Sequence, residues 1–314
     1  MRGTHLLSPL VLLSLLTLPP LEARAQKSMG KTVPVPEASE PAEDGMPPPD
    51  TSRPLAPWRT LAGDELPKTL QAVRFGASRP SSMAIVKRGA LAITEGDMVV
   101  GPYEGVLSEF SRENAVQNSQ LKWPKVEGKV VVPYELAAHG LPRQTIQALT
   151  SAIAEFNAKT CVRFVPRTPK DKNYLTVFQG DGCYSYVGAV QQGKQELSLG
   201  QGCEFKGTAI HELMHALGFY HEQVRPDRDQ YLKIQFQNVE AGLEDQFDIC
   251  QDCTTQALPY DYASIMHYGG QAFTKNGRDT MVPKQKGERI VEPHDKPGLT
   301  ALDVKKIHKL YQCP

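Results

Sequence analysis

Residues 208–221 read Thr-Ala-Ile-His-Glu-Leu-Met-His-Ala-Leu-Gly-Phe-Tyr-His, and this stretch carries the strongest signal in the chain. His211 and His215 are four residues apart, so on a helix both imidazoles lie on one face and can reach one metal ion. Gly218 can adopt the left-handed conformation that ends a helix, which would bring His221 back as a third ligand. Two helical histidines can also cap or pack, but the complete pattern favours a metal site.

The residue after the first histidine adds a chemical function to this site. Three histidine nitrogens leave one coordination position open, as a catalytic zinc site requires. Zinc lowers the pKa of bound water to about 7 and polarises a carbonyl group. Glu212 points beside the metal and can take a proton from that water. The stretch therefore predicts one Zn²⁺ per chain and a hydrolytic reaction.

A second signal lies downstream, where residues 264–268 read Ser-Ile-Met-His-Tyr after the tyrosine-rich turn at 260–262. A single methionine such as Met266 is more often a core residue than a functional one. Together with the histidine pattern, it indicates the Met-turn found beneath the zinc of metzincin proteases.

Charge and composition exclude several classes of protein. The chain has 314 residues, with 35 Lys+Arg and 35 Asp+Glu, so its formal net charge is zero. A nucleic-acid or membrane-surface binder would carry a basic excess, so we expect no nucleic-acid partner. The hydrophobic content of 40% and charged content of 22% are those of a globular protein.

The first 25 residues have the pattern of a secretory signal peptide. An apolar run extends over residues 6–18, and Ala-Arg-Ala at 23–25 offers cleavage before Gln26. The alternative is a membrane anchor, but this run is shorter than the ~20 residues that cross a bilayer. No later stretch is apolar enough to span one, so we expect a secreted, extracellular protein.

Cysteine usage agrees with an oxidising compartment. All six cysteines follow residue 160, and six cysteines allow fifteen pairings that the sequence alone does not resolve. Cys250 and Cys253 form a C-x-x-C pair, which could be a redox pair, half of a second zinc site or a local disulfide. No second cysteine or histidine pair completes a zinc site, so we favour the local disulfide.

The composition of the remaining sequence changes along the chain, from a proline-rich stretch through a short intermediate region to a packed domain. Residues 26–60 combine many prolines with few large apolar residues, which predicts an extended, mobile linker. From residue 122 onward, strand-like runs at 129–134, 161–165 and 174–178 alternate with predicted helices at 142–159 and after Thr300. In the first helix Ile146, Leu149, Ile153 and Phe156 are expected to form the buried face, and in the last Val304, Ile307 and Tyr311. This order of elements predicts an α+β fold.

Residues 211–229 and 264–268 together resemble the astacin family of secreted zinc endopeptidases, and the resemblance extends over about 121–313. It implies a two-lobed metzincin-type protease domain with a twisted N-terminal sheet, an active-site helix and a Met-turn. The expected organisation is a signal peptide at 1–25, a propeptide at 26–113 and a catalytic domain at 114–314.

The resemblance also implies roles for individual residues. Tyr268 would be a displaceable zinc ligand that stabilises the oxyanion, although a packed aromatic is the alternative. The strand around Tyr186 would bind extended substrate at its edge, unless it is an ordinary edge strand. Pro293 and His294 would line the pocket for the residue after the cut. The implied disulfides are Cys161 with Cys313 and Cys183 with Cys203.

A segment upstream of the domain suggests how such an enzyme would be held inactive. Residues 93–97, Ile-Thr-Glu-Gly-Asp, resemble the F-x-G-D pattern of astacin propeptides, whose aspartate binds zinc. Asp97 would be that ligand in the zymogen, although Thr94 replaces the aromatic residue and a plain turn is the alternative. Cleavage between 112 and 115 by an activating protease would free a new N-terminus, which is expected to fold towards Glu222.

The expected partners are protein or peptide substrates and the activating protease, and we expect a monomer. Two other classes stay open. One is a zinc-stabilised binding module without activity, which a missing Glu212 would favour. The other is an inhibitor-like zymogen that is never activated.

Overall fold

β-Branched and aromatic runs form the larger sheet of the protein. A computed structural model describes residues 86–88, 91–102, 121–190, 193–250 and 253–314. The predicted signal peptide, the proline-rich stretch and the cleavage region at 112–115 lie outside the described residues. Nine strands of the described part form one sheet: β1 (Val86–Arg88), β2 (Leu91–Thr94), β3 (Met98–Pro102), β4 (Lys125–Val126), β5 (Lys129–Leu136), β6 (Val162–Pro166), β7 (Tyr174–Phe178), β8 (Cys183–Tyr186) and β9 (Lys194–Leu199).

The sheet mixes parallel and antiparallel pairs in the order β1-β2-β3-β8-β9-β7-β5-β4, and β6 also pairs with β5. β5 runs parallel to both β6 and β7, while β8 runs antiparallel to β9. The upstream strand β3 pairs in parallel with β8 through Met98 with Ser185 and Val99 with Tyr186. Residues upstream of the predicted protease domain therefore lie along the edge of its sheet.

Helix α1 (Arg143–Lys159) makes the crossover that two parallel strands require, from β5 to β6. Leu149, Ile153 and Phe156 are buried as expected. The prediction for Ile146 was wrong, since its side chain is 37% exposed. The buried face is instead centred on small residues of the same turns, including Ala148 and Ala152, and this places Ile146 at its margin.

Helix α2 (Lys206–Ala216) carries the histidine motif, and helix α3 (Ala301–Tyr311) closes the chain. Thr300 caps α3 in a capping box with Asp303, at the position that the sequence indicates. On α3, Ile307 and Tyr311 are buried, whereas Val304 is only half-buried against the core. Disulfides join Cys161 to Cys313, Cys183 to Cys203 and Cys250 to Cys253.

The rest of the described chain is built from short elements. Strands β10 (Leu232–Ile234) and β11 (Met281–Pro283) form a two-stranded antiparallel sheet. Short 3₁₀ helices cover Glu222–Val224, Arg228–Gln230, Phe236–Asn238, Glu244–Phe247 and Pro293–Asp295. One hydrophobic cluster joins the large sheet to the three helices, and a separate one lies around β10 and β11. The described part of the chain thus has the expected α+β organisation.

Among the described residues, none of the helices combines the length and the apolar character that crossing a membrane requires.

Candidate metal centre

Helix α2 presents His211 and His215 on one face, and the chain then reverses to bring in a third histidine. Gly218 has φ 101° and its amide donates to the His215 carbonyl at 2.7 Å. This left-handed residue ends the helix as the sequence predicted and returns His221 to the same place. All three imidazoles are at most 1% exposed.

The Nε2 atoms of the three histidines converge on one point. They lie 3.1 Å apart between His211 and His215, 3.2 Å between His215 and His221, and 3.3 Å between His211 and His221. Tetrahedral ligands at the usual zinc–nitrogen distance of 2.0–2.1 Å are about 3.3 Å from one another. The donor set and its spacing therefore fit zinc.

The outer nitrogen of each imidazole has a partner of its own. Nδ1 of His211 donates to the Ile265 carbonyl at 2.8 Å, and Nδ1 of His215 donates to the Phe219 carbonyl at 2.7 Å. Nδ1 of His221 lies 2.8 Å from a carboxylate oxygen of Glu95. Such contacts fix the tautomer and aim the Nε2 lone pair at the metal position.

Asp97 supplies the fourth group of the cluster. Its Oδ2 is 3.1 Å from Nε2 of His211, and its Oδ1 is 3.3 Å and 3.1 Å from those of His215 and His221. The carboxylate is fully buried among these imidazoles. Three histidines and one aspartate could thus hold one ion, with an oxygen aimed at the point the nitrogens share.

The charges of this cluster favour a cation at its centre. Burial would raise the pKa of Asp97, but His221 and His215 outweigh it and hold that pKa well below its usual range. Burial lowers the pKa of His211 to about 4. Burial also opposes a charge on His221, but Asp97 and Glu95 together raise its pKa to about 9. A bound divalent cation would supply the positive charge that a proton on His221 otherwise provides.

Glu212, the proposed base, is fully buried on α2. It lies near Tyr268, whose pKa is raised well above its usual value chiefly by burial, with contributions from Asp97 and Glu212. The Tyr268 ring lies against the imidazole of His221, with the ring centroids 4.3 Å apart. Its hydroxyl donates to the Glu95 carbonyl at 2.7 Å. The role of Tyr268 as a metal ligand stays a prediction, because the upstream segment offers its hydroxyl another partner.

The predicted Met-turn, residues 264–268, is buried, and its Ile265 carbonyl contacts the His211 imidazole. Met266 is 1% exposed, and its carbonyl accepts from the Glu222 amide at 2.9 Å. Asp303 of α3 holds the turn, since it accepts from Ser264 Oγ at 2.6 Å and from the Ile265 amide at 2.9 Å.

Glu222 is buried but well supplied with partners. Its carboxylate meets Lys306 Nζ at 2.6 Å and Arg225 Nη1 at 3.0 Å, and it accepts from the Asp261 amide at 3.0 Å. A small pocket beside it is lined by residues that include His221, Arg225, Gln256 and Met266.

The predicted substrate residues lie on two other elements, strand β8 and the turn at 293–295. Tyr186 is in β8, opposite Val99 of β3, and burial raises the pKa of its phenol. Pro293 and His294 form a 3₁₀ turn beside the start of α2, where His294 packs on Phe205 with ring centroids 5.4 Å apart. Their part in substrate binding stays a prediction.

Sequence patterns missed two residues near the site. Glu95 contacts His221 across 126 residues, and Lys296 reaches the Met-turn from another loop. Neither contact has a spacing signal, because it depends on how distant segments fold together. For Glu95, its place within the resembling segment 93–97 was the only hint in the sequence.

Comparisons with known proteins agree with this geometry. The sequence model of the peptidase family described as Astacin matches residues 115–312. Zinc metalloproteinase nas-13 of Caenorhabditis elegans is 44% identical over 205 residues, which are 65% of this chain and 44% of that protein. Zinc metalloproteinase nas-4 of the same organism is 41% identical over 227 residues, covering 70% of this chain and 69% of that protein.

A solved structure shows the same likeness. High choriolytic enzyme 1, a hatching enzyme zinc-protease from Oryzias latipes, is 38% identical with a TM-score of 0.58, and the match covers 62% of this chain and 96% of that one. The chain spans less than half the length of some curated relatives. Its match to zinc metalloproteinase nas-15 of C. elegans, for example, covers 34% of that protein. The family match covers well over half of the present chain and includes all three histidines. The chain belongs to the astacin family, and the α+β metzincin-type fold expected from its sequence is confirmed.

Proposed function

We propose that this chain is a secreted zinc-dependent endopeptidase, made as a zymogen, that hydrolyses peptide bonds of extended protein substrates. The observation that carries the proposal is the convergence of three Nε2 atoms within 3.1–3.3 Å of one another beside the buried Glu212. Bound zinc would be held by His211, His215 and His221, and would supply a Lewis acid for a substrate carbonyl and a more acidic water.

The proton transfers would be carried out by Glu212. Its carboxylate follows a ligand on α2 and is shielded from bulk solvent. It would accept a proton from the attacking water and then donate it to the leaving amine. The Tyr268 hydroxyl, a neutral donor because burial raises its pKa, would hydrogen-bond the developing oxyanion once it leaves Glu95.

Latency would come from the upstream segment. Four contacts support this: Asp97 occupies the fourth position of the cluster, Glu95 contacts both Tyr268 and His221, and β3 pairs with β8. The edge that extended substrate is expected to use is then already paired. Removing residues 26–113 would free the metal position, the tyrosine and the edge together.

Activation would require a cut between 112 and 115 and a rearranged N-terminus. We expect the new amino group to approach Glu222 through the adjoining pocket. Because Glu222 already pairs with Lys306 and Arg225, the new ammonium would share a carboxylate that has two cationic partners. Such buried ion pairs favour one conformation more than they add net stability.

Secretion is proposed on two grounds. Residues 1–25 have the pattern of a signal peptide, and the three disulfides are typical of oxidising compartments.

The test is casein hydrolysis by the purified full-length chain before and after limited treatment with a trypsin-like protease. We expect no hydrolysis before treatment, hydrolysis after it, and loss of hydrolysis when a zinc chelator is added. The matched variant Glu212→Gln should be processed and hold zinc but stay inactive. A processed wild-type chain that holds zinc stoichiometrically and cleaves nothing would contradict the proposal and favour a binding module.

Latency has its own test in the variant Asp97→Ala. The variant loses the charge-assisted contact of the Asp97 carboxylate with the metal position, which is worth about 1.5–3 kcal/mol. The unprocessed variant should therefore gain activity on the order of tenfold or more over the unprocessed wild type. The partly exposed Asp227, which pairs with Arg225 outside the cluster, provides the control Asp227→Ala. Equal activity of the two unprocessed variants would show that Asp97 does not hold the enzyme inactive.

A further inference from the structure

Lys296 is a buried lysine that contacts the Met-turn from outside the residues assigned above. It follows the 3₁₀ helix Pro293–Asp295 and is 5% exposed. Its Nζ donates to the Ser264 carbonyl at 2.8 Å and also to the His267 carbonyl. One ammonium group therefore contacts the Met-turn at its first residue and at the residue before Tyr268.

The second of these carbonyls belongs to the peptide that leads into Tyr268. The amide of Tyr268 donates to Gln223 Oε1 at 3.1 Å, and its carbonyl accepts from Nδ1 of His267 at 2.7 Å. Tyr260 donates to Nε2 of His267 at 2.8 Å, which keeps that ring neutral and oriented. Lys296 therefore completes a set of contacts around the backbone that carries the phenol.

A cation suits this position better than a neutral donor. An ammonium has three donors and makes stronger hydrogen bonds to carbonyl oxygens than a neutral group does. Burial lowers the pKa of Lys296 to about 8, while the surrounding carboxylates of Asp303, Glu292, Asp261 and Glu222 oppose this shift. Lys296 is therefore largely cationic at neutral pH.

Lys296 also joins the Met-turn to the elements beside it. The main chain of Pro293 and Lys296 lies so close to α2 that a Cβ at Gly207 would come within 3.0 Å of the Lys296 carbonyl oxygen. One residue thus connects the turn of the expected substrate pocket, the first turn of the histidine helix and the Met-turn.

We propose that Lys296 is a positioning residue for proteolysis, which sets the place of the Tyr268 phenol by holding the peptide between His267 and Tyr268. This inference rests on the role given to Tyr268 under the proposed function. Lys296 touches neither the metal position nor a substrate group; it acts through the tyrosine.

The experiment is a double-mutant cycle on the processed enzyme with a peptide substrate. Lys296→Met keeps the length of the side chain and removes the ammonium, whereas Lys296→Arg keeps a cationic donor. We expect Lys296→Met to lower kcat by about tenfold with KM changed less than about twofold, and Lys296→Arg to restore most of kcat. In the Tyr268→Phe background, Lys296→Met should change kcat by less than about twofold.

Zinc content and Tm are measured for every variant, and Lys305→Met, on the exposed face of α3, is the control substitution. If Lys296→Met does not fold, Lys296→Gln, which keeps a donor without the charge, takes its place in the cycle.

Two outcomes overturn the inference and differ in what else they affect. If the Lys296 and Tyr268 effects on kcat multiply independently, Lys296 does not act through Tyr268, and the proposed function is untouched. If Tyr268→Phe alone leaves kcat unchanged, the role of Tyr268 and the inference both fail, while hydrolysis by zinc and Glu212 can still stand.

Discussion

Glu155 shows how a single side chain positions the histidine helix. Its carboxylate meets Lys159 of its own helix α1 at 2.7 Å, Lys206 at the start of α2 at 2.5 Å, and the Leu299 amide before α3 at 2.8 Å. One buried carboxylate therefore ties together all three helices of the described chain. No sequence pattern marks it, because an acidic residue within an amphipathic helix usually faces solvent.

We expect Glu155→Gln to destabilise the protein by about 1–3 kcal/mol at neutral pH. Burial would raise the pKa of Glu155, but the hydrogen bonds from Lys159 and Lys206 outweigh it and hold the pKa below the ordinary 4.5. A lowered pKa contributes stability above that ordinary value, and the contribution is lost as the pH falls through the folded-state pKa. In urea unfolding, the difference between variant and wild type should therefore shrink below about pH 4.5. An equal difference at pH 3 and pH 7 would contradict this account.

Gly207 permits a close approach that no other residue allows. A Cβ there would overlap with the Pro293 carbonyl oxygen, so Gly207→Ala must push α2 away from the 293–296 turn. We expect a loss of about 1–3 kcal/mol in unfolding free energy and a lower kcat. The control is Gly277→Ala, where φ is 72° but a Cβ meets nothing within 4 Å. It should lose about 1 kcal/mol from backbone strain and keep its kcat. Identical effects of the two substitutions would show that the close approach does not matter.

At the scale of elements, the sequence predicted local features best. The helix at 143–159 and the strand at 174–178 were recognised because their apolar periods are strong. The histidines and Gly218 followed from the geometry of one helix and its end. The predicted burial of Ile146 was wrong. The spacing of large apolar residues does not show that a neighbouring face of the helix, which carries small residues, packs on the core instead. The pairing of β3 with β8 needs tertiary structure, because the two strands are far apart in the sequence.

Two of the disulfides differ greatly in the sequence separation of their cysteines. Cys161–Cys313 closes a separation of 152 residues between the start of β6 and the end of α3. In the chain-entropy model it stabilises by about 5 kcal/mol, whereas Cys250–Cys253, with a separation of 3, is worth about 2 kcal/mol. Replacing both cysteines of each pair by alanine should therefore lower Tm much more for the first pair. A larger drop for the second pair, measured by calorimetry, would contradict this expectation.

At the scale of the whole molecule, the metal centre joins three parts of the chain. Its groups come from α2, from the loop after Gly218 and from the upstream turn before β3. An ion bound to the folded chain and not to the unfolded one must stabilise the fold, by an amount set by its concentration relative to Kd.

We expect a zinc chelator to lower the Tm of the full chain by several degrees, since about 2.7 kcal/mol is gained at a hundredfold excess over Kd. His215→Ala should already have the lower Tm and respond little to the chelator. Glu212→Gln, which keeps the ligands, should respond like wild type. A chelator that leaves the wild-type Tm unchanged while removing the metal would show that the ion does not hold these parts together.

The most direct test of the central claim is the rate of peptide hydrolysis by processed Glu212→Gln, measured on protein whose zinc content equals that of the processed wild type. If three histidines hold the ion and Glu212 moves the proton, the variant should lose activity by a factor on the order of 10²–10⁴ while its zinc content stays the same. Hydrolysis at the wild-type rate by the zinc-loaded variant would contradict the account.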